Sequence, residues 1–170
     1  MNCVVREARA GEAAYAPDLH RRLYAEEYAW GEGFTSYAEK IALDFEAKPK
    51  SAREAFFVAQ AVDREDPSGA YLVGCIMLCR TPDPEVGQLR LYAVERAHRR
   101  QGIGRRLIEA LLEKARAADY RKLVLWTAAP LEAALRQYER FGFRICATSE
   151  NHDWRVDGGA VVEIKMERSL

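Results

Sequence analysis

Apolar and polar residues recur along this chain with two different periods, and the elements begin and end where one period replaces the other. Residues 3–9, CVVREAR, alternate with a period of two and predict a strand. From residue 11 to about 29 the spacing is helical: Leu19, Leu23 and Tyr24 share one face, and Gly31 and Gly33 interrupt it. A second helical stretch covers 36 to about 47, with Tyr37, Ile41 and Phe45 four apart and Pro49 just beyond its end. AFFVAQAV (55–62) reads as a buried strand, DREDPSG (63–69) as a charged hairpin loop, and AYLVGCIMLCR (70–80) as the returning strand. TPDPEV turns the chain again into the strand GQLRLYAV (87–94). A strong amphipathic helix follows, its stripe formed by Ile103, Leu107, Ile108, Leu111, Leu112 and Ala115. KLVLWT (122–127) is the next strand; Pro130 stands near the start of a helix to about residue 140, and Gly142 ends it. FRICATS and AVVEIKME supply two closing strands on either side of the polar ENHDWRVDGG.

This order predicts a mixed α/β sheet of about seven mostly antiparallel strands with helices on both faces. The short loops make the meander of strands over 55–94 antiparallel. The crossover helix makes the strands at 87–94 and 122–127 parallel. Ligands in such sheets bind beyond the carboxyl ends of neighbouring parallel strands. At 170 residues, with no repeat or linker, the chain reads as one domain spanning 1–170. Hydrophobic residues make up 49% and charged residues 31%, a globular composition. No apolar run approaches the length of a membrane span, and the N-terminus lacks a cationic start followed by an apolar stretch, so a cytoplasmic location is expected. Cys3, Cys75, Cys79 and Cys146 show neither a disulfide framework nor metal-ligand spacing and read as reduced core thiols, and no metal is expected.

Charge changes the picture at one place. Lys plus Arg and Asp plus Glu both count 26, so there is no general attraction for polyanions. Yet RAHRRQGIGRRLIEALLEKARA (96–117) crowds Arg96, Arg99, Arg100, Arg105, Arg106 and His98 around Gly102 and Gly104 at the mouth of a helix. Glycine permits close approach of a ligand to the backbone. A helix start presents unsatisfied N–H donors, and arginine pairs with phosphate oxygens. A dinucleotide fingerprint would need glycine at Leu107, and a P-loop would need Gly-Lys-Ser/Thr, which does not occur.

What remains, Arg99-Arg100-Gln101-Gly102-Ile103-Gly104 between a strand and a helix, resembles the acyl-CoA loop of the GCN5-related N-acetyltransferases (GNAT family). LRLYAVERAHRRQGIGRRLIEALLEKARAADYRKLVLW resembles the family's core strand–loop–helix–strand unit, ALRQYERFGF its tyrosine helix, and the element order matches over essentially the whole chain. The segments LYAEEYAW, LRLYAV and LVLWT look most like acetyltransferase domains fused to MarR-type DNA-binding domains in bacteria, although no such DNA-binding segment occurs in these residues.

The resemblance implies a single-domain GNAT fold with a splayed parallel strand pair, and an acetyl-CoA-dependent N-acetyltransferase acting on a primary amine by direct attack in a ternary complex. It assigns the cofactor's pyrophosphate to Arg99, Arg100, Gln101, Gly102, Ile103 and Gly104 with Arg105 close by, and the pantetheine arm to the backbone of Tyr92, Ala93 and Val94. Tyr138 takes the position of the family's acid; tyrosine holds its proton at neutral pH and can deliver it to a leaving thiolate. Gln88 stands where many relatives have a glutamate base, and Leu131 where many have a cofactor-contacting asparagine. A backbone N–H, that of Val94, is the candidate for polarising the carbonyl. Glu85, Glu150 and His152 are the remaining candidate bases, and a low-pKa amine would need none. For Cys146, a buried thiol is favoured over a covalent role.

The acceptor pocket is expected from EEYAWGEGFTSY and ENHDWRVDGG, with Tyr28, Trp30, Gln88 and Trp126 as substrate-binding candidates, Trp154 as a further aromatic wall, and Glu26, Glu27 and Glu32 as charge for a cationic amine. The acceptor is a small-molecule or peptide amine. Neither nucleic acid nor membrane is an expected partner, because the net charge is zero and the basic stretch lacks interleaved aromatics. Relatives are often dimers, which leaves a homodimer open. Gln88 and Leu131 also keep a second reading in play, a non-catalytic acyl-CoA-binding or sensor domain.

Overall fold

The computed structural model describes residues 2–48, 51–62 and 69–170, so Pro49 and residues 63–68 of the expected hairpin loop lie outside the described residues. The elements are β1 (Asn2–Glu7), α1 (Tyr15–Tyr28), α2 (Glu32–Ala47), β2 (Ala55–Val62), β3 (Tyr71–Arg80), β4 (Val86–Val94), α3 (Ile103–Ala117), β5 (Lys122–Ala128), α4 (Glu132–Arg140), β6 (Arg144–Asn151) and β7 (Val161–Ser169). One seven-stranded sheet runs β1-β2-β3-β4-β5-β7-β6. Every pairing is antiparallel except β4–β5, which is parallel as the crossover helix requires.

Two apolar layers sandwich the sheet. On one face Leu19 and Leu23 of α1 and Ile41 of α2 pack over Phe56, Val58, Met77, Leu91 and Ala93. On the other, the α3 stripe Ile103, Leu107, Ile108, Leu111 and Leu112 packs with Tyr138 of α4 over Val73, Ile76, Leu78, Leu89 and Leu125. A third cluster, Trp30, Phe34, Ala128, Trp154 and Val161, ties the α1–α2 link to the segment between β6 and β7.

Helix α2 begins at Glu32, earlier than the expected residue 36. The Gly31 carbonyl accepts from Thr35 N at 3.1 Å, and Phe34 is buried with Trp30 and Trp154. Burial of an aromatic outweighs the poor helix propensity of Gly33, at about 1 kcal/mol. Cys146 is a second departure. It is exposed on β6, a strand whose residues 144–150 are all exposed, because β6 is the edge strand and pairs only with β7. Cys75 is buried, with Cys79 packed against the same core.

Strand β4 holds the feature that shapes the site. Its pairing with β5 covers Val86–Leu89 against Lys122–Leu125 and then stops, so the two strands part from Arg90 onward. At the same level its register with β3 shifts between Cys75 and Met77, and Leu91 has φ of 46°, left-handed for a non-glycine residue. This is a β-bulge. It reverses which side chains face which layer: Leu89 packs under α3, Leu91 and Ala93 under α1 and α2, and Tyr92 and Val94 again under α3.

Candidate active site

The start of α3 breaks a local rule. Helix N-termini favour acidic residues, yet the first turn contains no acid and holds Arg105 and Arg106. Conflicts of this kind mark functional positions. The first helical hydrogen bond runs from Arg106 N to the Gly102 carbonyl at 3.1 Å, which leaves the N–H groups of residues 102–105 aimed out of the helix start. Arg100 and Gly102 are both left-handed, with φ of 61° and 77°, and this alternation turns successive amides toward one concavity. No atom lies within 4 Å of where a Cβ on Gly102 would be, so the space before the amides is open. These residues fit an anionic pyrophosphate.

Gly104 answers a different need. A Cβ there would lie 2.1 Å from Tyr92 Oη, whose hydroxyl donates to Gln137 Oε1 at 2.7 Å. The arginines also divide. Arg99 has its guanidinium on both Glu27 oxygens (2.8 and 2.7 Å) and donates from Nε to the Val94 carbonyl at 3.1 Å. Arg106 donates to the Cys3 carbonyl, and Arg105 pairs with Glu109. Arg99 therefore straps α1 to the loop, beside a second strap from Arg22 to Glu95 at 2.8 Å.

From the parting of β4 and β5 a cleft opens between the layers. Its lining draws on both faces of the sheet: Arg90 and Tyr37 on the α2 side, Tyr92 and Tyr138 on the α3 side. Tyr138 is 4% exposed, with its ring centroid 5.8 Å from that of Tyr92, and burial, followed by Tyr92 and Tyr24, holds its pKa well above the usual value. Its proton is therefore in place at neutral pH. His20 also lines the cleft. Burial lowers its pKa to about 4, so the ring is neutral, with Nδ1 2.7 Å from the Ala16 carbonyl.

Of the acceptor candidates, Trp30, Gln88 and Trp126 line the cleft, with Trp154 and Leu131. Tyr28 packs behind it, edge-on to Tyr24 at 5.7 Å. The α1–α2 link and the segment before β7 do meet: Trp30 and Trp154 are 5.0 Å apart, and Gly31 N donates to the Trp154 carbonyl at 2.8 Å. The acidic residues expected there do not line it. Glu27 is held by Arg99, and Glu26 and Glu32 are exposed. Nor do Glu85, Glu150 or His152 reach it; Glu85 pairs with Arg121, and His152 lies 3.8 Å from Glu150. Sequence reasoning missed His20, Tyr24 and Arg90 as wall residues, whereas Phe34 and Tyr37 fall within the expected segment EEYAWGEGFTSY without being singled out. Only the four-residue spacing of the aromatics on α1 and α2 hinted at some of them.

The model of the acetyltransferase (GNAT) family matches residues 18–143. The chain belongs to this family. It is 32% identical over 103 residues to N-acetyltransferase 8F1 of Mus musculus, covering 58% of this chain and 46% of that protein. It is 31% identical over 80 residues to the uncharacterized N-acetyltransferase YsnE of Bacillus subtilis, covering 46% and 52%. The chain thus aligns with about half the length of these relatives. In fold it is similar to a GNAT-family acetyltransferase from Streptococcus pneumoniae, with a TM-score of 0.75 at 19% identity and coverage of 99% and 100%. It is also similar to yncA of Salmonella typhimurium, a putative acetyltransferase solved with its cofactor acetyl-CoA, with a TM-score of 0.74 at 19% identity and coverage of 99% and 94%. Among the described residues no helix is long and apolar enough to cross a membrane.

Proposed function

We propose that residues 1–170 form a single N-acetyltransferase domain that transfers an acetyl group from acetyl-CoA to a primary amine by direct attack in a ternary complex. The observation that carries this reading is that one cleft reaches both faces of the sheet where β4 and β5 part, joining the side of the open α3 amides to the side of α1 and α2. Acetyl-CoA supplies the activated acyl group as its thioester. The amides of residues 102–105 bind the pyrophosphate, and the β4 backbone from Tyr92 to Val94, unpaired on its β5 side, receives the pantetheine arm. An N–C bond forms and the C–S bond breaks; the amine nitrogen loses a proton to solvent, the sulfur gains one from Tyr138 Oη, and Tyr138 regains its proton from solvent, so no net proton is consumed. Among the described residues no carboxylate lines the cleft, so in this reading the amine arrives neutral or loses its proton to water.

The same reading places the domain in the cytoplasm, with kinship to acetyltransferase domains fused to MarR-type regulators resting on LYAEEYAW, LRLYAV and LVLWT. Calorimetry with acetyl-CoA and a thiol-release assay against an amine panel test it together. The expected result is binding that Gly102→Glu abolishes, and turnover with at least one amine. Binding without turnover would make the chain an acyl-CoA sensor, and no binding at all would end the assignment.

A further inference from the structure

The cleft is lined largely by aromatic and aliphatic side chains, and among the described residues Arg90 is the one side chain in its lining that carries charge, since His20 is neutral. Arg90 lies on the α2 side, its guanidinium carbon 5.9 Å from the centre of the Tyr37 ring. Its Nε is buried and has no hydrogen-bond partner among the described residues. Arg99 and Arg22, outside the lining, are each held by a glutamate. Glu163 of β7, which like Arg90 acts on Tyr37, accepts a hydrogen bond from Asn151 Nδ2 at 3.1 Å. A second cation, Lys165, sits over Trp126, 5.9 Å from the ring centre.

A guanidinium charge in an otherwise apolar cleft is costly unless an anion offsets it. A simple alkyl amine would make matters worse, because its ammonium form would meet Arg90 as a like charge. An acceptor with its own carboxylate resolves both problems: the carboxylate takes the arginine fork, its charge offsets Arg90, and an apolar side chain lies on the aromatic walls. The Gln88 side chain, also in the lining, adds an amide donor.

We infer that the acceptor is a small free amino acid with an apolar side chain, whose carboxylate is bound by Arg90 while its amine faces the gap between β4 and β5. This rests on the acetyltransferase reading. It is tested by comparing initial rates at saturating acetyl-CoA for L-phenylalanine and L-leucine with their decarboxylated counterparts, phenethylamine and 3-methylbutylamine, and with phenylalaninamide and the dipeptide Phe-Gly. The free amino acids are expected to show at least about 10-fold higher kcat/KM. Arg90→Gln is expected to raise their KM by about 10- to 100-fold, to leave the affinity for acetyl-CoA unchanged, and to erase the preference over the decarboxylated amines. Arg90→Lys, which keeps the charge but loses the fork, should fall between and serves if Arg90→Gln does not fold.

A wild-type preference for the amines, the amide or the dipeptide overturns the inference and leaves the acetyltransferase reading standing. So does a preference that survives Arg90→Gln. If acetyl-CoA binds but no amine turns over, the acetyltransferase reading fails instead. Titration of L-phenylalanine into the CoA-bound protein then decides this one: binding that depends on Arg90 upholds it, and no binding ends it.

Discussion

At the scale of single residues, the two titratable side chains that matter most are held in their neutral forms by burial. Tyr138 keeps its proton through neutral pH because its phenolate would be desolvated among Tyr92, Tyr24 and the sheet. Tyr138→Phe is expected to lower kcat by about 100-fold while leaving acetyl-CoA affinity within twofold, read from steady-state rates and calorimetry. His20 has a folded pKa of about 4 against 6.5 when exposed, so between those values the unfolded chain binds a proton that the folded chain refuses. Stability is therefore full above pH 6.5 and falls as the pH drops toward 4, by about 3 kcal/mol at most. Urea titrations between pH 7 and 5 should show this slope, and His20→Gln should flatten it. Glu12, lowered to about 2 chiefly by its hydrogen bond from Arg6, loses its contribution only below pH 4.5 and does not confuse that window. The place of Tyr138 on a helix beside the sheet was legible in QYERFGF. The place of His20 was not, because one histidine on an amphipathic helix gives no sign of what covers it.

At the scale of elements, the glycine loop was legible and its division of labour was not. Gly102 needs its left-handed backbone at the helix start, whereas Gly104 makes room for the Tyr92 hydroxyl. Gly104→Ala is accordingly expected to destabilise the fold by about 1–3 kcal/mol through overpacking. Adding Tyr92→Phe should recover roughly half of that loss in a double-mutant cycle of chemical denaturation. Arg99 shows the same limit. Its sequence neighbours suggest a phosphate ligand, but Glu27, remote in sequence, holds its side chain. The bulge at Leu91 left no mark either, since LRLYAV contains no glycine or proline and reads as regular alternation.

At the scale of the whole molecule, the sheet is unevenly protected. β3, β4 and β5 lie in the middle between two helical layers, while β6 pairs only with β7 and is exposed over residues 144–150. Hydrogen exchange should find β6 amides opening roughly 100-fold more readily than those of β3 and β5. Equal protection across the sheet would mean that something covers β6 in solution.

The sequence by itself determined the elements, their order, the parallel pair and the glycine-bearing start of α3. Those follow from periodicity, loop length and backbone chemistry, all local along the chain. Only the tertiary structure decided where β4 and β5 part, which face each β4 side chain meets after the bulge, and that Arg90 joins aromatic walls in the cleft lining. These depend on which distant residues come to lie against one another, and a charge, a hydroxyl or a buried ring acquires its chemistry from those neighbours.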